Sequence, residues 1–283
     1  MDRELVLCVL AILLVGIAVL AGGLWALIFP VNNQLHSSGR TLERIAFRRV
    51  LAPLTLILPA LGILMGWALV EPAQAEHVPV GFFAIALPVV LIWLRAAVRG
   101  YRAAQVPTIR SAATIGLVHP RVIVGEELVA QLDTQALNAA IAHEQAHARH
   151  RDPLRIWLAQ IATDVQWPLP GAGQRFTHWL FTLELARDEE ARECNDGADL
   201  AAAVLVATRI EQKSSFACAG IASASDQMRL RVARLLTPLD TTAKNQKNLK
   251  TYFVLISLTI MCALFLGARF GEFLIGSGLR WVR

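Results

Sequence analysis

The chain has 283 residues, 55% of them hydrophobic and only 17% charged, with a mean hydropathy of +0.49. Soluble domains carry about 25% charged residues, so this balance excludes an ordinary water-soluble fold and points to a membrane. The net charge of +5 is no sign of nucleic-acid binding, because the basic residues flank apolar stretches and do not gather on one face.

Four stretches run without a charge: Leu5 to Ile28, Val50 to Val70, Val78 to Leu94 and Thr251 to Ala268. A helix that spans a bilayer needs roughly 17–25 such residues, so each is predicted to be a transmembrane helix. The first follows Met1-Asp2-Arg3-Glu4, which has no net positive charge, and it exceeds the ~7–15 apolar residues of a signal core, so it reads as a retained span. The connection after it carries Arg40, Arg44, Arg48 and Arg49 against Glu43, and the next carries Glu71 and Glu76 but no Lys or Arg. Arg95, Arg99, Arg102 and Arg110 follow the third stretch, and Lys244, Lys247 and Lys250 precede the fourth. The positive-inside rule then places the first and third connections in the cytoplasm and both termini outside the cell membrane. Cys8 and Cys262 fall inside spans, while Cys194 and Cys218 lie in the long cytoplasmic segment without any CxxC pair, so no disulfide is expected.

Residues 1–104 therefore form a membrane domain, 105–250 a cytoplasmic domain, and 251–283 the last span with a short outside tail. In the cytoplasmic domain, Thr114–Val118 and Arg121–Val124 are β-branched runs separated by His119-Pro120, which predicts a hairpin. Asp133 or Thr134 caps a helix that runs to about Arg151, where Asp152-Pro153 stops it and starts another over Leu154–Gln166. Trp167-Pro168-Leu169-Pro170-Gly171 ends that helix. A third helix runs from about Phe176 past Glu184 towards Cys194, and an amphipathic helix over Arg229–Leu236 precedes the last span. The fold class is mainly α: a multi-pass membrane protein with a small α+β domain inserted between spans three and four. Trp157, Trp167 and Trp179 read as core or interfacial anchors. The Gly22-Gly23 pair is either a close-packing site or a flexible point.

The chemistry is carried by His143-Glu144-Gln145-Ala146-His147, an HExxH motif on a predicted helix. Positions four apart sit one turn along and only ~40° around, so both imidazoles face one point and can ligate a zinc ion. Glu144 is placed to act as the base that takes a proton from water. With seven histidines in the chain, this pattern arises by chance only ~0.008 times per sequence of this composition. His150 lies about 10.5 Å along the axis from His143, too far to share the ion. Catalytic zinc takes three protein ligands, and Glu184 is the third expected here, although Glu189, Glu190 and Glu193 on the same helix are its rivals on chemistry alone. Asp188, one turn beyond Glu184, is expected to accept a hydrogen bond from the outer nitrogen of a liganding histidine. Asp152 is read as a helix cap.

The string from Thr134 to Leu154, with HEQAH followed by Arg151-Asp152, resembles the BlaR/MecR-type membrane zinc metallopeptidases. Pro120-Arg121-Val122-Ile123, Trp167-Pro168-Leu169 and Arg231 to Leu236 resemble further parts of that family's pattern. Glu184 to Ala191 is similar to its ligand helix, except that Arg187 stands where the family has a small residue. The resemblance implies a gluzincin-type endopeptidase with one zinc held by His143, His147 and Glu184. It also implies a cytoplasmic protein substrate such as a repressor, or the chain itself. About fifteen residues follow Ala268, which leaves no penicillin-binding sensor domain, so β-lactam sensing is not carried over. Two other readings stand beside the regulatory protease: a housekeeping or processing membrane protease, and a non-catalytic zinc-binding signalling scaffold. Intact Glu144 and the three-ligand set weigh against the last.

Overall fold

The computed structural model describes residues 3–28, 38–70, 80–103, 111–214, 221–237, 249–271 and 273. Glu71, Glu76, Arg110, Cys218, Lys244 and Lys247, which entered the sequence reading, lie outside them. Apolar runs form long helices because every backbone polar group can be satisfied within the segment. Helices α1 (Arg3–Ile28), α3 (Ile57–Val70), α4 (Val80–Ala103) and α11 (Leu249–Gly271) arise in this way. Among the described residues, two segments are long and apolar enough to cross a membrane, Leu7–Leu24 and Gly39–Val70, and a shorter apolar stretch runs over Leu258–Phe270. Of the expected third and fourth spans, residues 80–94 lie in α4 and 251–268 in α11, while residues 78 and 79 lie outside the described residues.

Val9, Leu10, Leu64, Trp67 and Ala86 form the core where α1, α3 and α4 meet. α3 lies against α11 so closely that a Cβ on Gly66 would strike the backbone of Leu264, and one on Gly267 the backbone of Ile63. Small residues permit that approach, which is how helices associate where no hydrophobic force separates them from lipid. Gly22 likewise abuts the backbone of Pro53, so close packing is the reading that holds there. The outer faces of these helices expose Leu69, Leu87, Leu94, Met261 and Phe265, an apolar surface that water-soluble monomers rarely present.

The connection after α1 differs from the loop expected there. Ser38 caps α2 (Gly39–Leu51), accepting from the Thr41 N–H at 3.3 Å, and a 3-10 turn over Ala52–Leu56 carries the chain into α3. Pro53 lacks a backbone donor, which explains the change of helix type at the junction. α2 turns one face inward: Glu43, Ala46 and Val50 are buried against α8 (Ala172–Ala191).

The hairpin pairs β1 (Ala112–Ile115) with β2 (Arg121–Val124), antiparallel, with Thr114 opposite Val122. β2 spans the expected residues, whereas β1 begins earlier and ends before Val118. Gly116 explains the shift, since its φ of +98° starts the turn. The short α5 (Glu126–Gln131) leads to α6 (Thr134–Arg149), whose N-cap Asp133 accepts from the Ala136 N–H at 2.8 Å. Arg151, in the left-handed region at φ 52°, turns the chain into α7 (Asp152–Asp164). α8 (Ala172–Ala191) follows the Trp/Pro turn, then α9 (Gly197–Ser214) and α10 (Ile221–Leu236). α9 was not anticipated, and α10 begins earlier than expected. Trp179 is wholly buried, Trp157 donates to the Gly100 carbonyl at 2.8 Å, and Trp167 is half exposed beneath the Arg95 guanidinium.

Candidate metal centre

α6 is the central helix of the site. Its alanines at 136, 139, 140 and 146 are buried, and their small side chains let the neighbouring helices approach closely. On the face turned towards α8, His143 and His147 put their Nε2 atoms 3.1 Å apart. Glu184 of α8 reaches both, with Oε2 3.4 Å from His143 Nε2 and Oε1 3.6 Å from His147 Nε2. One ligand atom from each of the three lies within 4.8 Å of the others. Tetrahedral coordination with bonds of about 2.0–2.2 Å separates ligand atoms by roughly 3.3 Å, so the donor set and its spacing fit a divalent ion of the zinc type. Glu189, Glu190 and Glu193 do not reach the cluster: Glu189 accepts from the Arg40 N–H, Glu193 pairs with the Arg40 guanidinium, and Glu190 pairs with Arg149 and His150.

Each histidine is backed by an aspartate, and each aspartate by arginine. Nδ1 of His147 donates to Asp152 Oδ2 at 2.9 Å. Asp152 is wholly buried and also accepts from Arg187 Nε at 2.5 Å, Arg187 Nη2 at 3.0 Å and Arg155 Nη1 at 2.9 Å. Nδ1 of His143 lies 3.0 Å from Asp188 Oδ1, in contact but not aligned for a hydrogen bond. Asp188 accepts a two-pronged pair from Arg231 of α10, at 2.7 and 2.9 Å, and Arg231 Nη1 lies 3.1 Å from Glu184 Oε2.

Asp152 therefore corrects the sequence reading. It is the first residue of α7, its carboxylate caps nothing, and it serves His147. Arg187, the departure from the family's small residue, is the cation that fills the space beside it. Arg155 extends the chain of charges to Glu43 of α2, whose Oε1 also accepts from Trp179 Nε1 at 3.1 Å. No sequence signal joins residues 43, 152, 155 and 187 beyond their being charges in otherwise apolar helices.

The electrostatics favour a cation at the imidazole nitrogens. Burial alone would lower His143, yet the carboxylates of Asp188 and Glu184 push it up to about 10. Burial works against ionisation of Glu184, but Arg231 and the two histidines hold it well below the usual carboxylate range. Asp188 is lowered likewise against its burial, by Arg231 and His143. Asp152 is lowered against burial by His147 and Arg187.

Glu144 lies next along α6, and the Thr114 hydroxyl sits 2.8 Å from both its Oε2 and its backbone oxygen. His143, Glu144, His147, Asp152 and Glu184 line one cavity of about 370 Å³, whose walls include Ala112–Thr114 of β1, Leu200, Ala203 and Val204 of α9, and Arg231. Thr114 and Arg231 were not singled out from the sequence as site residues. A threonine in a β-branched run shows no local sign of its partner 30 positions away.

Residues 95–235 match the family described as BlaR1 peptidase M56. That segment belongs to the M56 family. Its members are membrane-associated, metal-dependent peptidases, so the coarse character of the protein is that of a membrane-associated metallopeptidase. No curated protein and no solved structure matches the chain.

Proposed function

We propose that the protein is a zinc-dependent endopeptidase held in the cell membrane by four helices, at about 5–28, 50–70, 78–94 and 251–268. Both termini lie outside, and the peptidase domain, about 105–250, faces the cytoplasm. The convergence of His143, His147 and Glu184 beside Glu144, within an M56 segment, is the observation that carries the reading. The basic residues flanking the apolar runs support the orientation.

A zinc ion at the three ligands supplies Lewis acidity, which brings the pKa of water towards about 7 and stabilises negative charge on a peptide oxygen. The chain's own groups do the rest. Asp152 takes the Nδ1–H of His147, which fixes that ring's tautomer and leaves the Nε2 lone pair directed at the ligand cluster, while Asp188 sets its negative charge 3.0 Å from Nδ1 of His143. Arg231 keeps Glu184 and Asp188 ionised. Glu144 receives a proton from water on its carboxylate and passes it to the leaving amine nitrogen. Thr114 tethers that carboxylate to β1, which holds the base beside the strand that borders the cavity. An extended substrate segment adds to β1 and sets a side chain against Leu200, Ala203 and Val204. The substrate is a cytoplasmic protein such as a repressor, or the chain itself, with regulation as the role.

The test compares wild type with Glu144→Gln, both purified from membranes and assayed for bound zinc and for new protein N-termini. Equal zinc with cleavage by the wild type alone is expected. Equal cleavage by both proteins would sink the mechanism.

A further inference from the structure

We infer that Arg49, Arg175 and His178 form a binding site for the phosphate of an anionic phospholipid headgroup, at the membrane-side edge of the peptidase domain. The inference rests on the proposed reading that the apolar run from Val50 to Val70 crosses the bilayer. Arg49 is the last charged residue before that run, so it sits where hydrocarbon gives way to headgroups.

α2 and α8 pack antiparallel. Gly39 lies against Leu185, Glu43 bonds Trp179, and Phe47 packs at a tilt on Trp179 with ring centroids 5.0 Å apart. Continuing that register brings the C-terminal turn of α2 beside the first turns of α8, where Arg175 and His178 stand. Burial lowers the His178 pKa, and the Arg49 charge lowers it further, which marks the two groups as neighbours. Gln166, wholly buried, ties the corner together: it accepts from Arg175 Nη2 at 2.7 Å and donates to the Val50 carbonyl at 3.5 Å.

This corner has cationic donors without acceptors. Nε and Nη2 of Arg49 and Nε of Arg175 are shielded from water, and among the described residues none has a hydrogen-bond partner. Buried charged donors left unpaired are costly, and native structures rarely tolerate them. Burial depresses the Arg175 pKa with no carboxylate to offset it. The nearby acid, Asp164, is already engaged by Arg99 at 3.1 Å and Arg95 at 3.7 Å. A phosphate offers planar guanidinium groups paired oxygen acceptors and a compensating charge. The adjoining Trp167 is half exposed and Leu169 packs on Gly23 of α1, so apolar surface for a lipid's glycerol and acyl region lies next to the donors. Basic pockets between helices on the cytoplasmic side are suited to anionic headgroups.

The test uses the full chain in a neutral detergent, titrated with dihexanoyl phosphatidylglycerol, dihexanoyl phosphatidylcholine and inorganic phosphate, with bound lipid counted by native mass spectrometry. The wild type is expected to prefer phosphatidylglycerol. In Arg49→Gln/Arg175→Gln that lipid is expected to bind about thirtyfold more weakly, since each basic side chain near an anionic surface contributes roughly fivefold. Arg49→Lys is expected to retain most of the binding. Arg44→Gln, which removes one exposed charge from the same helix, is expected to change nothing, and zinc content reports that each variant is folded. Equal binding by wild type and the double variant would overturn the site. Inorganic phosphate displacing the lipid at equal concentration would assign it to a free anion instead. Alkaline carbonate extraction tests the membrane reading separately: a chain released from membranes would overturn the span, whereas a retained chain without lipid preference would overturn only the site.

Discussion

Replacing Asp152 with Asn keeps the shape of the side chain and removes its charge, which separates two consequences. The carboxylate makes four charge-assisted contacts from a fully buried position, one to His147, two to Arg187 and one to Arg155. An amide offers one acceptor oxygen and a nitrogen that faces donors, so at least one guanidinium N–H loses its acceptor and Arg187 loses its anionic partner in the interior. Breaking a buried ion pair from one side costs about 3–5 kcal/mol, a large share of the ~5–15 kcal/mol that holds a domain folded. His147 also loses the anion that fixes its tautomer, and removal of such a supporting group lowers metal affinity roughly 10- to 100-fold. The assays are thermal unfolding of the purified chain and zinc competition against a chelator of known affinity. Asp152→Asn/Arg187→Met is expected to recover part of the lost stability, because the stranded cation is gone, while the weakened zinc affinity persists. If Asp152→Asn melted as the wild type does and held zinc within twofold of it, the assignment of Asp152 to His147 would be wrong.

Other outcomes follow from the same geometry. Thr114→Val removes the hydroxyl beside Glu144 without changing side-chain volume much; with a hydrogen bond to a charged group worth about 1.5–3 kcal/mol, peptide turnover is expected to fall about tenfold or more with zinc content unchanged. Glu43→Gln takes the charge from the outer end of the Glu43–Arg155–Asp152 chain, so zinc affinity is expected to fall by less than in Asp152→Asn, and the effect should vanish in an Arg155→Met background, read by the same competition assay. In chelated protein, Asp152, Asp188 and Glu184 have folded pKa values below their unfolded ones, so their stabilisation is present at neutral pH and lost as pH falls below about 5. His143 runs the other way: its folded pKa of about 10 exceeds the ordinary 6.5, so its contribution is complete below about pH 6 and disappears as pH rises through 10. Melting temperature against pH, with chelator present, checks both signs.

Some of this protein was legible one residue at a time. The HExxH pair needs only the 3.6-residue period of a helix to face both rings one way, and Asp133 at the start of α6 announces itself by residue type and position. The apolar runs of α1 and α3 are likewise local properties of composition. Glu184 was ranked above its acidic neighbours only through resemblance to a family pattern, whereas Asp188 followed from standing one helical turn beyond it. α2 escaped notice because its arginines read as a charged connection, while the buried stripe of Glu43, Ala46 and Val50 has meaning only once α8 lies against it. α9 escaped because Ala201, Ala202 and Ala203 show no amphipathic period, although Asp196 accepts from the Ala198 N–H at 2.8 Å at its start. What surrounds the ligands was settled by tertiary structure alone: Asp152 against Arg187, Arg231 against Glu184 and Asp188, Thr114 against Glu144. Periodicity is set by neighbours in the chain, whereas these pairs, 30 to 47 positions apart, depend on the crossing of helices that no local pattern encodes.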